Sequence, residues 1–531
     1  MKILVADKIS QSGVEYLKAQ RDLEVVEAYG SSKEQLLEIV PEMDAIIVRS
    51  ATTIDADLIA AASKLKAVGR AGVGVDNIDT EAATDRGVIV MNTPSGNTIA
   101  TAELAFTHLL CSARPIPQAN ASMKSGEWNK KAFANGTELN GKTLGVLGLG
   151  RIGGEVARRA RAFKMKVLAY DPFLTAARAE QLGVLKVELD QLLAEADFIT
   201  VHMPRTEATT HMIGREALAK VKAGVRIVNC ARGGLIDEAA LAEALADGRV
   251  AAVGLDVFEE EPLPAESPLR GFEQVVLTPH LGASTLEAQE NVGLEVAEII
   301  VEAIRGGMVR NAVNAPSVDP AVLKALRPYL VLGEKLGSVI QQLTPDQVTK
   351  LRLTYSGRVA ELDVKPLNRA IQRGYLRNVT NDVNDVNAPR IMDRLGIKGE
   401  IIKTDLERDY TELIRIEAVP SEGETYVIEG TLLGKSQNPR LTSVNGRDLD
   451  CALSEAYLLV IENEDVPGIV GMLGTVLAKH AVNISHMSLG RNNIGGVALN
   501  ICGLDSRPPA AALDEIRGHE RIKRADLVAL G

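Results

Sequence analysis

Short apolar runs alternate with stretches rich in Ala, Glu and Leu over the first hundred residues. Runs such as ILVA (3–6) and VIVMNTP (88–94) are nearly continuous in apolar residues, which is typical of parallel strands covered on both faces. A second series of this kind begins at TLGVLGLG (143–150). Residues 285–305 keep helical spacing until Gly306-Gly307 and predict one long helix. We therefore expect an α/β protein that begins with two doubly wound parallel-sheet domains.

The pattern changes after Asn314-Ala315-Pro316. LRLTYSG (351–357) alternates apolar and polar residues as a half-buried strand does, and Asn445-Gly446 predicts a tight turn between later strands. These features indicate a mixed α+β unit. From about residue 456 the order is strand, helix, hairpin, helix, strand, which predicts a ferredoxin-like domain.

Composition and charge narrow the classes of function. The net charge is -11 and aromatic residues make up 3% of the chain, so we expect no nucleic-acid partner. No apolar run is long enough for a membrane span. The N-terminal segment MKILVADKIS contains Asp7 and no cleavage-site pattern, so it predicts a first strand and not a signal peptide. The four cysteines are widely spaced without a CxxC motif: Cys111, Cys230, Cys451 and Cys502. We expect no disulfide framework and no metal site, and a cytoplasmic location.

GLGRIG (148–153) is the strongest local motif. It follows an apolar strand, opens a helix and is followed by Asp171 at the end of the next strand. In that context the first glycine permits a tight turn, the second lets the backbone approach a pyrophosphate, and the third allows close helix packing. Asp171 would bind the adenosine ribose and repel the extra phosphate of NADP. We predict NAD binding at Gly148, Gly150, Arg151, Ile152, Gly153 and Asp171.

Four more segments fall at predicted strand ends, where ligands bind in open parallel sheets. They are CARGG (230–234), GLDV (254–257), EEEP (259–262) and TPHLG (278–282). Together they supply an arginine, a histidine and several carboxylates. Oxidation of a 2-hydroxy acid needs a base near neutral pH, a carboxylate beside it and a cation for the substrate carboxylate.

Several residues compete for these roles. His280 is the first candidate base, with His202 and His108 as alternatives. Glu259 and Glu260 are expected to be solvated charges, and Cys230 is expected to line the cofactor cleft without acting as a nucleophile, because no base is evident beside it. Arg232 stands between Ala231 and two glycines, which favours open backbone facing a ligand.

RGGLIDE (232–238), GLDVFEEEP (254–262) and TPHLGAST (278–285), with GLGRIG and AGVGVDNID (71–79), closely resemble the D-isomer-specific 2-hydroxyacid dehydrogenases. The resemblance covers about residues 1–316. It implies a catalytic set of Arg232, Glu261 and His280, with Asp256 near the nicotinamide carboxamide. By the same match we assign four further residues to the cofactor: Cys230, Ala231, Gly282 and Ala283.

Two further segments indicate a phosphorylated substrate. VRSAT (48–52) and GRAGVGVDN (69–77), with a basic residue after SMKSGEW (122–128), resemble the phosphoglycerate dehydrogenases of that family. The resemblance implies that Arg49, Arg70 and Lys131 bind a phosphate, and that the backbone at Gly72, Val73 and Gly74 faces the substrate carboxylate. For any one surface cation, Lys131 above all, the alternative is a solvated charge.

The tail resembles the long form of these enzymes, in which an intervening domain precedes an ACT domain. The resemblance implies an L-serine site at Asn463, Asp465 and Asn483. Asn463 departs from the His or Tyr more often found there, and a purely structural, dimer-forming domain is the alternative.

The expected domains are a flavodoxin-like substrate-binding domain (1–98, completed by 289–316), a Rossmann NAD domain (99–288), an intervening α+β domain (317–453) and an ACT-like regulatory domain (454–531). The resemblance implies NAD-dependent oxidation of 3-phosphoglycerate on the way to serine by a homotetramer, with L-serine as an effector. The alternatives are a glyoxylate or hydroxypyruvate reductase and an NAD-sensing interaction protein.

Overall fold

The computed structural model of the chain describes residues 1–306, 309–316, 320–344, 347–380, 382–404, 410–491 and 493–530. Gly307, in the predicted helix break, and the start of the predicted intervening domain at residue 317 lie outside them. The described residues form sheets of five, seven, six and four strands. Within these ranges, no helix has the length and apolar character needed to cross a membrane.

The first sheet is parallel throughout and has the strand order β2-β1-β3-β4-β5. This is the flavodoxin-like order that was predicted. Its central strand Ala45–Val48 is entirely buried, which explains the continuous apolar run. The strands are β1 (Lys2–Val5), β2 (Glu24–Glu27), β3 (Ala45–Val48), β4 (Ala67–Arg70) and β5 (Ile89–Asn92), and the helices are α1 (Gln11–Lys18), α2 (Lys33–Ile39), α3 (Ala56–Ala61) and α4 (Thr80–Asp85).

The second sheet is also parallel, with the order β12-β11-β10-β9-β6-β7-β8. This contains the Rossmann arrangement, in which the order reverses beside the first strand, β6. The strands are β6 (Thr143–Leu147), β7 (Lys166–Tyr170), β8 (Leu185–Lys186), β9 (Phe198–Val201), β10 (Val225–Asn229), β11 (Val250–Leu255) and β12 (Val275–Leu277). The helices are α5 (Thr98–Ala113), α6 (Ile116–Lys124), α7 (Arg151–Ala162), α8 (Ala176–Leu182), α9 (Leu189–Glu195), α10 (Arg215–Lys220) and α11 (Glu238–Ala246).

The predicted long helix is α12 (Leu286–Ile304), which begins after Thr285, whose side chain accepts a hydrogen bond from the Ala288 amide (3.1 Å). Its apolar face packs on the first sheet, where Val296 and Ile300 share a core with Ile3. The chain therefore returns to the first sheet after it has completed the second.

The third sheet has the order β14-β13-β15-β16-β17-β18, and only its β13–β14 pair is parallel. Asn445 and Gly446 both have positive φ, 48° and 73°, so the predicted turn between β17 and β18 is confirmed. The elements are α13 (Pro320–Leu343), β13 (Val348–Gly357), α14 (Arg358–Glu361), α15 (Lys365–Leu376), α16 (Ala388–Arg394), β14 (Lys398–Thr404), β15 (Glu412–Pro420), β16 (Tyr426–Leu433), β17 (Asn438–Val444) and β18 (Arg447–Ala452).

The fourth sheet is antiparallel, with the ferredoxin-like order β20-β21-β19-β22. One face, which includes Val460 and Ile501, shares a core with Leu336 of α13, and the other packs under two helices. The last two units are therefore joined by one hydrophobic core. The elements are β19 (Tyr457–Glu464), α17 (Ile469–Lys479), β20 (Ile484–Arg491), β21 (Val497–Leu504), α18 (Ala510–Arg517) and β22 (Ile522–Ala529).

Candidate active site

Three neighbouring parallel strands carry the predicted catalytic residues. Strand β11 pairs with β10 on one side and with β12 on the other, in registers that align Asn229, Leu255 and Leu277. Because parallel strands end at the same edge of a sheet, the loops after them lie side by side. Those loops carry Arg232, Glu261 and His280.

His280 and Glu261 contact each other directly. Nδ1 of His280 lies 2.7 Å from Oε2 of Glu261, and Oε1 of the same carboxylate accepts a hydrogen bond from the Phe258 amide at 3.0 Å. An ionised carboxylate only accepts, so Nδ1 carries the proton and Nε2 keeps a lone pair. The His280 side chain is 53% exposed and that of Glu261 36%, so this pair is open to a ligand.

Asp256 is fully buried and holds the loop that carries His280. Its carboxylate accepts hydrogen bonds from the amides of Leu281 (2.7 Å) and Gly282 (2.8 Å) and from the Thr278 hydroxyl (2.6 Å). The Thr278 hydroxyl is also 2.9 Å from Nε2 of His108. Sequence reasoning placed Asp256 beside the cofactor and missed this positioning network, because the residues that form it are far apart along the chain.

The alternative bases and carboxylates have other surroundings. Burial lowers the pKa of His108, with the nearby Asp256 charge opposing the shift, and burial lowers the pKa of His202 to about 4. His202 lies 2.9 Å from the Thr200 hydroxyl. Glu259 accepts a hydrogen bond from the Glu238 amide (3.1 Å) and is exposed. His280, with its carboxylate neighbour and open ring, is therefore the best placed of the three histidines for proton transfer.

Arg232 lies where the first two units meet. Its Nε is 3.4 Å from Oδ2 of Asp76, and a Cβ at Gly74 would collide with its guanidinium. The backbone carbonyl of Arg232 accepts a hydrogen bond from the Asn229 side chain at 2.8 Å. Asp76 belongs to the AGVGVDNID segment, but no role was predicted for it from the sequence. The signal that points to it is a carboxylate in a glycine-rich segment, which can pair with an arginine.

Two more arginines belong to the same region of the first unit. The Arg70 guanidinium crosses Gly72, where a Cβ would collide with it, and its buried Nε has no hydrogen-bond partner among the described residues. Burial lowers the pKa of Arg70, and the charge of Arg232 adds to that effect. Arg49 follows β3, with its amide bonded to Asp7 (2.6 Å). Concentrated positive charge with an unpaired buried donor favours an anionic ligand.

The remaining predicted substrate residues are placed differently. The Val73 carbonyl accepts a hydrogen bond from the Asn92 side chain (2.5 Å), which fixes the backbone between Gly72 and Gly74. Lys131 lies on the exposed segment after α6, and no described contact joins it to Arg49 or Arg70. The structure therefore places Arg70 close to both Arg232 and Arg49, and the role of Lys131 stays a prediction.

The glycine loop before α7 has room for a ligand. Gly148 has a φ of 89°, which favours glycine. Gly150 is the N-cap of α7 and has open space where its Cβ would stand, whereas a Cβ at Gly153 would collide with the Gly148 carbonyl. These features fit a dinucleotide whose pyrophosphate lies at the helix N-terminus. Arg151 and Ile152 form the first turn of the helix.

Asp171 lies directly after β7, where a ribose would be bound. Its carboxylate also accepts hydrogen bonds from the amides of Leu149 (2.9 Å) and Phe173 (2.8 Å), so it fixes the glycine loop as well as facing it. The sequence did not predict that the Leu149 amide would hold the glycine loop to Asp171.

The other predicted cofactor residues line the ends of β10 and β12. Cys230 is buried, and burial, with the charge of Asp256, raises the pKa of its thiol well above the usual value, which agrees with a non-nucleophilic role. The Ala231 amide donates to the Asn229 side chain (3.0 Å). Gly282 is held by Asp256 and by Thr101, whose hydroxyl donates to its carbonyl (2.9 Å), and Ala283 follows it. Within the described ranges, His, Cys, Asp and Glu form no cluster of three suited to a metal.

The three predicted serine-binding residues each have another partner. Asn463 is buried and accepts a hydrogen bond from Asn500 (2.6 Å), Asp465 accepts one from Arg491 (3.1 Å), and Asn483 donates to Asp505 (2.7 Å). No described contact joins the three to one another. The serine site stays a prediction.

The fold is that of the NAD-dependent D-isomer-specific 2-hydroxyacid dehydrogenases. The family "D-isomer specific 2-hydroxyacid dehydrogenase, NAD binding domain" matches residues 106–282, and "D-3-phosphoglycerate dehydrogenase intervening domain" matches residues 325–445. The chain is 43% identical to D-3-phosphoglycerate dehydrogenase of Archaeoglobus fulgidus, with 100% of both chains covered. It is 44% identical to that of Synechocystis sp., over 100% of this chain and 95% of the relative. The chain therefore belongs to the D-3-phosphoglycerate dehydrogenase family.

Part of the chain is also similar in fold to solved structures of other enzymes. A glyoxylate reductase from Paecilomyes thermophila is 36% identical, with a TM-score of 0.55, and the match covers 59% of this chain and 98% of that one. The match thus spans a length close to that of the two parallel-sheet units together.

Proposed function

We propose that this protein catalyses the NAD-dependent oxidation of 3-phospho-D-glycerate to 3-phosphohydroxypyruvate, the first step of L-serine biosynthesis. The observation that carries the proposal is the identity of 43% to a D-3-phosphoglycerate dehydrogenase along the whole of both chains. The arginines around the site support a substrate with two anionic groups.

In this proposal His280 is the base and Glu261 orients it. NAD, when bound at the glycine loop, supplies the hydride acceptor. Nε2 of His280 accepts the proton of the substrate hydroxyl, and Glu261, 2.7 Å from Nδ1, stabilises the imidazolium that results. Asp256 keeps the His280 loop in place through its hydrogen bonds to the backbone.

The substrate is held at both ends. Arg232 pairs with the substrate carboxylate in a charge-assisted contact, together with the backbone of Gly72, Val73 and Gly74. Arg49 and Arg70 bind the phosphate, and we assign Lys131 to the same role on the resemblance alone. The buried Nε of Arg70, which has no hydrogen-bond partner among the described residues, would donate a hydrogen bond to the phosphate of the substrate.

A glyoxylate or hydroxypyruvate reductase is the second candidate, because the glyoxylate reductase shares the two parallel-sheet units. The assay measures NADH formation with 3-phosphoglycerate, glyoxylate reduction, and a reaction without substrate. We expect turnover with 3-phosphoglycerate. Turnover of glyoxylate alone would move the assignment to the reductase, and turnover of neither would favour an NAD-sensing protein.

The phosphate assignment has its own test. Arg49→Ala should raise KM for 3-phosphoglycerate at least ten-fold, and far more than KM for unphosphorylated D-glycerate, because a charge-assisted contact is lost only with the former. Equal changes for both acids would remove Arg49 from the phosphate site.

We further propose a cytoplasmic homotetramer in which L-serine binds the last unit at Asn463, Asp465 and Asn483. Four free cysteines support a reducing compartment, and the ferredoxin-like topology of the fourth sheet supports an ACT-type domain. The test is titration of L-serine against activity and oligomeric state. Activity that does not respond to L-serine would leave the last unit a structural role.

A further inference from the structure

A cavity of about 690 Å³ lies at the carboxyl ends of β1, β2 and β3, in the first unit. The loops that follow these three strands form its walls and carry Lys8, Ser31 and Arg49, among other residues. Its size is that of a site for a small metabolite. The proposed function uses only Arg49 of this set and leaves the rest of the cavity without a role.

The topology of the sheet explains why a cavity forms there. Strand β1 lies between β2 and β3, so the chain leaves β1 towards β2 on one side of the sheet and leaves β3 towards β4 on the other. The connecting loops diverge at this switch point and open a crevice at the carboxyl ends of the strands. Ligands bind at such points in open parallel sheets.

Two cationic residues, Lys8 and Arg49, line this cavity. Nη1 of Arg49 donates a hydrogen bond to the Lys8 carbonyl at 3.3 Å, and Lys8 is exposed. Within the described part of the chain, neither side chain has a carboxylate partner within 4 Å. Positive side chains without a carboxylate partner on the wall of a cavity favour an anionic ligand.

The carboxylates of the cavity are already engaged elsewhere. Asp7 accepts hydrogen bonds from the amide of Arg49 (2.6 Å) and from the amide (3.1 Å) and hydroxyl (2.6 Å) of Thr52. Asp55 pairs with Lys33 (2.6 Å) and caps α3 through the Leu58 amide (3.1 Å). Among the described residues, neither of these carboxylates pairs with the side chain of Lys8 or Arg49.

We propose that this cavity is a second oxyanion site, in which Lys8 and Arg49 hold a phosphate group. A phosphate group has the charge and the acceptor oxygens to pair with both cationic residues and with hydroxyl groups that line the same cavity. The proposal deepens the proposed function, because Arg49 would be shared with the phosphate of the substrate. An anion in the cavity would then compete with 3-phosphoglycerate for Arg49 and raise its KM.

The test uses the full-length protein with NAD and without substrate, at constant ionic strength. Calorimetry measures the Kd for inorganic phosphate and, in a second arm, for phosphoglycolate, which has no hydroxyl to oxidise. Lys8→Met should raise both Kd values about ten-fold, since it removes a charge-assisted contact. The matched control is Lys64→Met, an exposed lysine of the same unit that pairs with Glu42 and should change neither value more than two-fold.

The outcomes distinguish a phosphorylated acid from free phosphate as the ligand, and binding at Lys8 from binding at Arg70. Tighter binding of phosphoglycolate than of phosphate, still dependent on Lys8, would assign the cavity to a phosphorylated acid, and equal binding would assign it to free phosphate. Unchanged Kd values in Lys8→Met, or binding abolished by Arg70→Ala instead, would overturn the proposal. Failure of the proposed function would show separately, as absence of NADH formation with 3-phosphoglycerate.

Discussion

Glu261 has one oxygen bonded to the Phe258 amide and the other bonded to Nδ1 of His280. The carboxylate therefore cannot turn without losing a hydrogen bond, and it fixes both the orientation of the ring and the nitrogen that carries the proton. The same arrangement stabilises positive charge on the ring as it accepts a proton. The charge of Glu261, as much as its position, should matter for turnover.

Glu261→Gln is expected to lower kcat for 3-phosphoglycerate oxidation by about 100-fold or more, with little change in KM. An amide of the same shape can keep a hydrogen bond but has no charge to stabilise the imidazolium, and it can select the wrong ring tautomer. Steady-state kinetics measure the effect.

The control for this change is Glu260→Gln, the exposed neighbour. It removes the same charge one residue away and should leave kcat within two-fold. Equal losses in the two variants would show that the general charge of the loop matters, and that Glu261 has no specific part.

At the scale of elements, the glycine loop shows what the sequence could predict and what it could not. GLGRIG predicted the turn, the helix start and the site of the dinucleotide, because each depends on local backbone freedom. The sequence did not show that Gly153 lies against the Gly148 carbonyl or that Asp171 holds the Leu149 amide. Those contacts depend on how strand, loop and helix fold back on one another.

Adjacent glycines of α7 give a matched pair of variants. Gly153→Ala should raise KM for NAD more than ten-fold and destabilise the protein, because the new Cβ collides with a loop carbonyl that cannot move without displacing the loop. Gly154→Ala has open space for its Cβ and should stabilise the protein by about 0.5–1 kcal/mol, as alanine does within a helix.

Kinetics with varied NAD and urea unfolding of both variants measure the two effects. If Gly153→Ala bound NAD as the parent does, close packing at this position would have no part in shaping the cofactor loop.

At the scale of the whole molecule, the sequence predicted the fold types of the first, second and fourth sheets, but it predicted neither the strand order of the third sheet nor the contacts between units. Continuous apolar runs identify strands such as Ala45–Val48 because burial on both faces requires apolar side chains. The contacts between the third unit and the first include exposed charged side chains, which follow no period along the sequence. Asp85 of α4 and Arg394 of α16 are far apart along the chain, yet their side chains meet at 2.6 Å.

These contacts join the third unit to the first. Besides the Asp85–Arg394 pair, Arg390 lies 3.5 Å from Glu81, and the Asn384 side chain donates to the Gly87 carbonyl at 2.8 Å. A unit fixed in this way should move together with the first sheet and the arginines on it. We therefore expect the tail of the chain to be coupled mechanically to the substrate side of the cleft.

A charge exchange tests that coupling. Asp85→Arg places two like charges together and should speed hydrogen exchange in α4 and α16 about two- to five-fold, which is the effect of losing an exposed ion pair worth about 0.5–1 kcal/mol. The double variant Asp85→Arg with Arg394→Asp restores a pair of opposite charges with the residues exchanged. Hydrogen exchange in both helices should then return to the parent rates, because the coupling depends on the attraction between the two charges and not on which position carries which charge. If exchange in α16 did not respond to Asp85→Arg, or if the double variant exchanged as fast as the single one, this ion pair would not join the two units, and the tail would have to be coupled to the first sheet through other contacts.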